Sequence, residues 1–129
     1  MLDVDKQVVH WRDGAAEDWE VAAHLVSRNK YRHGLFFAHL ALEKTLKAHV
    51  CLHTQQIPPR IHNLLRLAEL AGLSLDQNQN DVLADMNRFC LEGRYPDNPI
   101  PVPPEDRILD YMARAKELLT CLIQPLQQV

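Results

Sequence analysis

The sequence predicts an all-α protein, an antiparallel up-and-down four-helix bundle with one additional short helix. Three observations carry this. Apolar residues recur at steps of three and four along most of the chain, and no stretch alternates apolar with polar residues as a half-buried strand does. Prolines 58 and 59, and five more between 96 and 104, punctuate the chain between periodic segments. With 129 residues the chain reads as one domain, 1–129. A chain of this size buries roughly two-thirds of the surface its unfolded form exposes, so no metal or disulfide staple is required.

Val4, Val8, Trp11, Ala15, Trp19, Ala22, Ala23 and Val26 predict a first long amphipathic helix running to about Asn29, with Gly14 as its weak point. Residues 30–34 read as a short connection. Residues 35–53 are apolar over most of the helical circumference, which predicts the central helix, packed on several sides. Residues 55–59 are a loop, because tandem prolines remove backbone donors and push the preceding residue out of helical geometry. Residues 61–71 predict a short third helix, with Gly72 placed to cap it.

The polar run 76–80 offers a start for a fourth helix with Val82, Leu83, Met86, Phe89 and Cys90 as its stripe, stopping near Gly93. Residues 95–104 hold five of the eight prolines and form a loop across the surface. The last helix starts at Glu105 and Asp106, acids suited to a helix amino terminus, and continues through Ile108, Leu109, Met112, Ala115, Leu118, Leu119 and Leu122.

Composition excludes several classes of protein. With 47% hydrophobic and 24% charged residues and only four glycines, the chain is neither collagen-like nor disordered. Cys51, Cys90 and Cys121 are widely spaced and odd in number, which points to buried, inert thiols in a reducing compartment, hence the cytoplasm. No apolar run reaches membrane-spanning length, and the first residues are acidic where a secretory signal is basic. The net charge of −3 excludes a basic coat, but it averages unlike segments. Residues 1–23 hold six acids and two bases, and residues 71–129 nine acids and five bases. Residues 24–70 hold seven bases, two acids and six of the seven histidines.

Within that basic centre, His39, Glu43 and Lys47 fall at i, i+4 and i+8 on one face of an apolar helix, with Lys44 beside them. Ionised groups there must pair internally or line a cleft. Two accounts stand: a Glu43–Lys47 pair on a solvent-reaching edge, or a polar strip at the mouth of a groove for an anionic ligand. His49 and His53 share metal-compatible spacing, but the sequence supplies no third ligand, so no metal site is expected. Arg60 and His62 lie at a helix amino terminus, where free backbone donors favour an anion. Arg94, Tyr95 and Asp97 place a cation, an aromatic ring and an acid just before the proline-rich loop.

Taken together, Ala38-His39-Leu40-Ala41-Leu42-Glu43-Lys44-Thr45-Leu46-Lys47-Ala48, then Pro58-Pro59-Arg60-Ile61-His62-Asn63-Leu64, then Arg94-Tyr95-Pro96-Asp97 resemble in order and spacing the hallmarks of the HEPN domain family (higher eukaryotes and prokaryotes nucleotide-binding). Nearly the whole chain is covered. The resemblance implies a bundle of four or five helices, usually a homodimer, and a nucleotide or RNA ligand. It also implies a nucleotidyltransferase partner, often within a toxin–antitoxin pair. The clustering of bases in an otherwise acidic chain leads to the expectation that Lys44, Lys47, His62 and Arg94 contact phosphates and Tyr95 stacks on a base, with Glu43 and Asp97 orienting the basic groups or accepting from a sugar or base.

Many family members are metal-independent ribonucleases with an R-x(4–6)-H motif near the later helices. This chain departs from that pattern: neither Arg88 nor Arg94 is followed by a histidine at those spacings. Arg28 and His33 satisfy the spacing only between the first and second helices. The expectation is therefore a non-catalytic nucleotide- and partner-binding module, with no catalytic residue and no cofactor. One alternative is a ribonuclease toxin that uses Arg28 with His33 or His62 with Arg94. The other is a purely structural dimerisation subunit.

Overall fold

Asp3 starts α1 (Val4–Ser27), its side chain accepting from the Lys6 amide. The helix ends in a Schellman turn, with Lys30 N–H donating to Leu25 O at 2.8 Å and Asn29 N–H to Val26 O at 3.0 Å. Asn29 takes the left-handed conformation this closure needs, at φ 62°. The chain is described in a computed structural model over residues 2–91 and 102–129.

The central helix α2 (Tyr31–Thr54) begins immediately, so most of the expected 30–34 connection is its first turn. Gly34 supplies the reason. A Cβ there would lie 2.6 Å from Val26 Cγ2 and 3.3 Å from Ala22 O. The glycine is a contact point that lets two helix backbones close on each other, and it does not break the helix.

The third helix, α3 (Leu64–Leu70), is shorter than the expected 61–71. Asn63 is its cap, accepting from the Arg66 amide at 3.2 Å, so Ile61 and His62 precede the helix. Asn87 clamps this start: its Oδ1 accepts from Leu64 N–H at 2.8 Å and its Nδ2 donates to Asn63 Oδ1 at 3.2 Å. Gly72 closes α3 at φ 67°, where a Cβ would stand 2.7 Å from the His53 ring.

A capping box between Asp76 and Gln79 opens α4 (Gln77–Met86), which passes into a 3₁₀ turn (Asn87–Phe89) instead of continuing toward Gly93. After the segment outside the described residues comes α5 (Glu105–Ile123), then a 3₁₀ turn (Gln124–Gln128).

Every other helix packs on α2, and the α1–α2 interface is the largest. The main core runs from Ala22 and Leu35 through Leu42, Leu46, Leu64 and Leu83 to Ile108 and Leu118. A smaller cluster of Val8, Ala48, Cys51 and Leu126, with Trp11 packed on it, closes the other end. No strand occurs among the described residues. The thiols differ from expectation. Cys51 alone is buried, while Cys90, just past the 3₁₀ turn, is half-buried, and Cys121 is exposed because the last turns of α5 are covered on one side only.

Candidate functional site around Glu43

Glu43 lies in the middle of α2 with only 4% of its surface exposed. Both carboxylate oxygens are engaged. Oε2 accepts from Lys47 Nζ at 3.0 Å, one turn on, and Oε1 accepts from His62 Nδ1 at 3.1 Å. Lys47 is 6% exposed, and its ammonium also lies 5.5 Å from the centroid of the Trp11 ring. The pair therefore closes inside the protein; it does not sit on a solvent-reaching edge. Two charges removed from water are held by each other, by an imidazole and by an aromatic face, and losing any one partner leaves a buried charge exposed to its desolvation cost.

His39 completes the cluster. Its ring is fully buried, and Nε2–H donates to the His62 backbone carbonyl at 3.1 Å, which fixes the proton on Nε2. Nδ1 then points its lone pair at Glu43 Oε1, 3.8 Å away, with no hydrogen-bond partner. Burial lowers the basicity of this ring below the ordinary histidine range, against the pull of the nearby carboxylate. The loop before α3 is thus tied to α2 twice through His62, once by its backbone and once by its ring.

His62 is the member of the cluster open to solvent, with its side chain 42% exposed and Nε2 unpartnered among the described residues. Lys44 points elsewhere: Nζ lies 2.8 Å from Asp18 Oδ2 on α1, an ion contact without hydrogen-bond alignment. The structure thus brings together Glu43, Lys47 and His62, and sets Lys44 on the α1 side of the same helix. Arg94, Tyr95 and Asp97 lie outside the described residues.

Helical spacing had already set His39 on the strip, one turn before Glu43, without giving it a role. Trp11 and Asp18 carried no signal, because their roles come from how α1 lies on α2. His49 turns away from the cluster and donates from Nε2 to Leu122 O at 2.7 Å, and burial lowers its basicity too. Among the described residues no group of three or more His, Cys, Asp or Glu is placed to hold a metal ion. No helix there is long and apolar enough to cross a membrane.

A shallow cleft of about 350 Å³ lies apart from the cluster, lined by Asp76, Gln79, Val82, Arg114, Leu118 and Cys121, among others.

Fold and site together define a helical module organised around a charged strip on its central helix. The chain belongs to the HEPN domain family, whose model matches residues 8–124. This membership supports a nucleotide- or RNA-related module. No curated protein and no solved structure matches the chain.

Proposed function

We propose that the chain is a non-catalytic nucleotide- or RNA-binding and partner-binding module. It acts in the cytoplasm as a single-domain homodimer beside a small nucleotidyltransferase, in a toxin–antitoxin-like system. The observation that best supports this is the half-exposed His62 ring, held by a buried carboxylate with Nε2 left for a ligand. Such an imidazole donates to a phosphate when charged and accepts from a sugar or base when neutral.

In this reading Lys44, Lys47, His62 and Arg94 contact phosphates, Tyr95 stacks on a base, and Glu43 and Asp97 orient the cations. The lysines reach a phosphate by exchanging their present partners, Asp18 for Lys44 and Glu43 for Lys47. His62 needs no such exchange and makes the first contact. The lack of an R-x(4–6)-H motif near the later helices supports the non-catalytic role.

Calorimetry with ATP, other nucleotides and short RNA at low salt tests the proposal. Wild type should bind, and His62→Ala should weaken binding about tenfold, the loss expected for one charge-assisted hydrogen bond. A flat titration of wild type overturns it. RNA cleavage in EDTA by wild type, abolished in His62→Ala, replaces it with the ribonuclease reading. The closed Glu43–Lys47 pair favours one further reading, a structural dimerisation subunit; there Lys47→Ala lowers thermal stability while every titration stays flat.

A further inference from the structure

Six of the thirteen lysines and arginines among the described residues are paired with an acid. Among the described residues, Arg12, Lys44, Lys47, Arg66, Arg88 and Arg114 each have a carboxylate within 4 Å. Of the other seven, three fall together in the turn between α1 and α2. His24, Arg28, Lys30, Arg32 and His33 are all exposed, and none forms an ion pair with a described residue. Residues 24–33 contain no acid. Desolvation of its ring, and then the Glu105 carboxylate at the start of α5, raise the Tyr31 phenol above the ordinary tyrosine range.

The dipole of α1 accounts for His24 and Arg28, which stand in its last turn and at its carboxyl cap, but not for the cations that follow. Lys30, Arg32 and His33 stand at the amino end of α2, where the helix dipole already concentrates positive charge and acids are the stabilising choice. The first turn of α2 contains no acid, and Lys30 forms no side-chain cap. Lys30 and Arg32 are charges placed against the α2 dipole, and with Arg28 beside them they make one exposed, acid-free cluster held in position by the Schellman turn at Asn29.

We infer that the α1–α2 turn, through Arg28, Lys30 and Arg32, is a phosphodiester-binding surface for RNA, separate from the Glu43 cluster. Along the α2 axis the turn lies about 18 Å from Glu43, at 1.5 Å per residue over twelve residues. One bound strand could span both. The inference rests on the reading of the chain as a nucleotide- or RNA-related module and adds where a polymer runs.

The chemistry favours a nucleic acid over an acidic protein. Within residues 24–33 no large apolar side chain is exposed, whereas Val21, Leu52, Ile57, Leu65, Val102 and Leu109 are exposed elsewhere. A protein partner docks through a central apolar or aromatic anchor, which this surface lacks. A phosphate backbone needs only spaced cations, and the His24 and His33 rings that flank them in sequence offer stacking faces.

The test is fluorescence anisotropy with a short fluorescein-labelled single-stranded RNA between roughly 50 and 200 mM salt. The triple variant Arg28→Gln, Lys30→Gln, Arg32→Gln is compared with a charge-matched control, Lys6→Gln, Arg66→Gln, Lys116→Gln. The turn variant should bind at least about tenfold more weakly and lose about 2 from the salt slope, at about 0.7 per phosphate contact. The control should stay within about threefold of wild type.

Equal losses in both triples, or none in the turn variant, overturn the inference. If His62→Ala alone abolishes binding while the turn variant binds as wild type, the Glu43 site stands and the turn does not. If wild type binds no RNA at low salt, both readings fall. A poly-glutamate peptide that displaces the RNA at equal charge concentration reassigns the turn to an acidic protein and overturns the RNA assignment.

Discussion

Between residues 43 and 47 every charge on α2 has a partner, whereas Lys30 and Arg32 at its start have none among the described residues. The two regions belong to one helix and differ in what surrounds them. The middle of α2 is wrapped by α1 on one side and by α3, α4 and α5 on others, so a charge there survives only in closed company. The first turn emerges from a three-residue connection into solvent, where a lone cation costs little and remains available. Charge in the middle of the helix holds the fold together. Charge at its start can be spent on a ligand.

The largest expected effect lies in the middle of α2. Glu43→Leu leaves Lys47 buried without its carboxylate and should destabilise the protein by about 3–5 kcal/mol in urea unfolding. The double variant Glu43→Leu, Lys47→Met replaces the pair with apolar volume and should recover most of that loss. If the single and double variants are equally unstable, the pair is not the closed unit described here.

A second effect is pH dependence from the same stretch. His39 and His49 are both less basic in the folded state than when unfolded, chiefly through burial. The unfolded chain therefore takes up protons first as pH falls. The stability these neutral rings contribute is complete above the ordinary imidazole value of 6.5 and is lost progressively below it. Each ring adds at most about 1.4 kcal/mol per pH unit to the slope. Urea midpoints measured from pH 7.5 downward should fall, and His49→Gln should flatten the slope without abolishing it. An unchanged slope in that variant would mean the ring is charged while buried.

The smallest effect is at the start of α2. Lys30→Gln with Arg32→Gln should leave the unfolding free energy unchanged or raise it slightly, by about 0.3 kcal/mol for each cation removed from the dipole, as read in urea unfolding. A clear loss of stability would show that these side chains brace the turn, and the contrast with the middle of the helix would disappear.

Helix placement was largely legible in the sequence, because a stripe such as Val4, Val8, Trp11 and Ala15 records a buried face directly. The misplaced boundaries share a cause. Residues 31–34 look polar and glycine-broken, yet Gly34 is demanded by a neighbour, Val26, which no local pattern reveals. Residues 61–63 look helical until Asn63 is seen to cap α3 and to hold Asn87.

The site was legible to the same depth. Glu43 with Lys47 follows from helical spacing, and His62 could be singled out. That His62 reaches back 19 residues to the same carboxylate depends on the path of the loop through Pro58 and Pro59. The Trp11 face over Lys47 and the Asp18 partner of Lys44 depend on the rotation of α1, which periodicity does not fix.

The Schellman turn at Asn29 also bears on how the chain folds. Two helices of 24 residues each are joined by three residues, so the largest interface in the molecule is made between segments adjacent in sequence. Closing so short a loop costs little entropy, and contacts local in sequence form fast. The α1–α2 hairpin should be the first tertiary unit to appear, with α3, α4 and α5 condensing on the exposed side of α2 afterwards. The cationic turn would then be in place before the Glu43 cluster, which must wait for His62 to arrive with its loop.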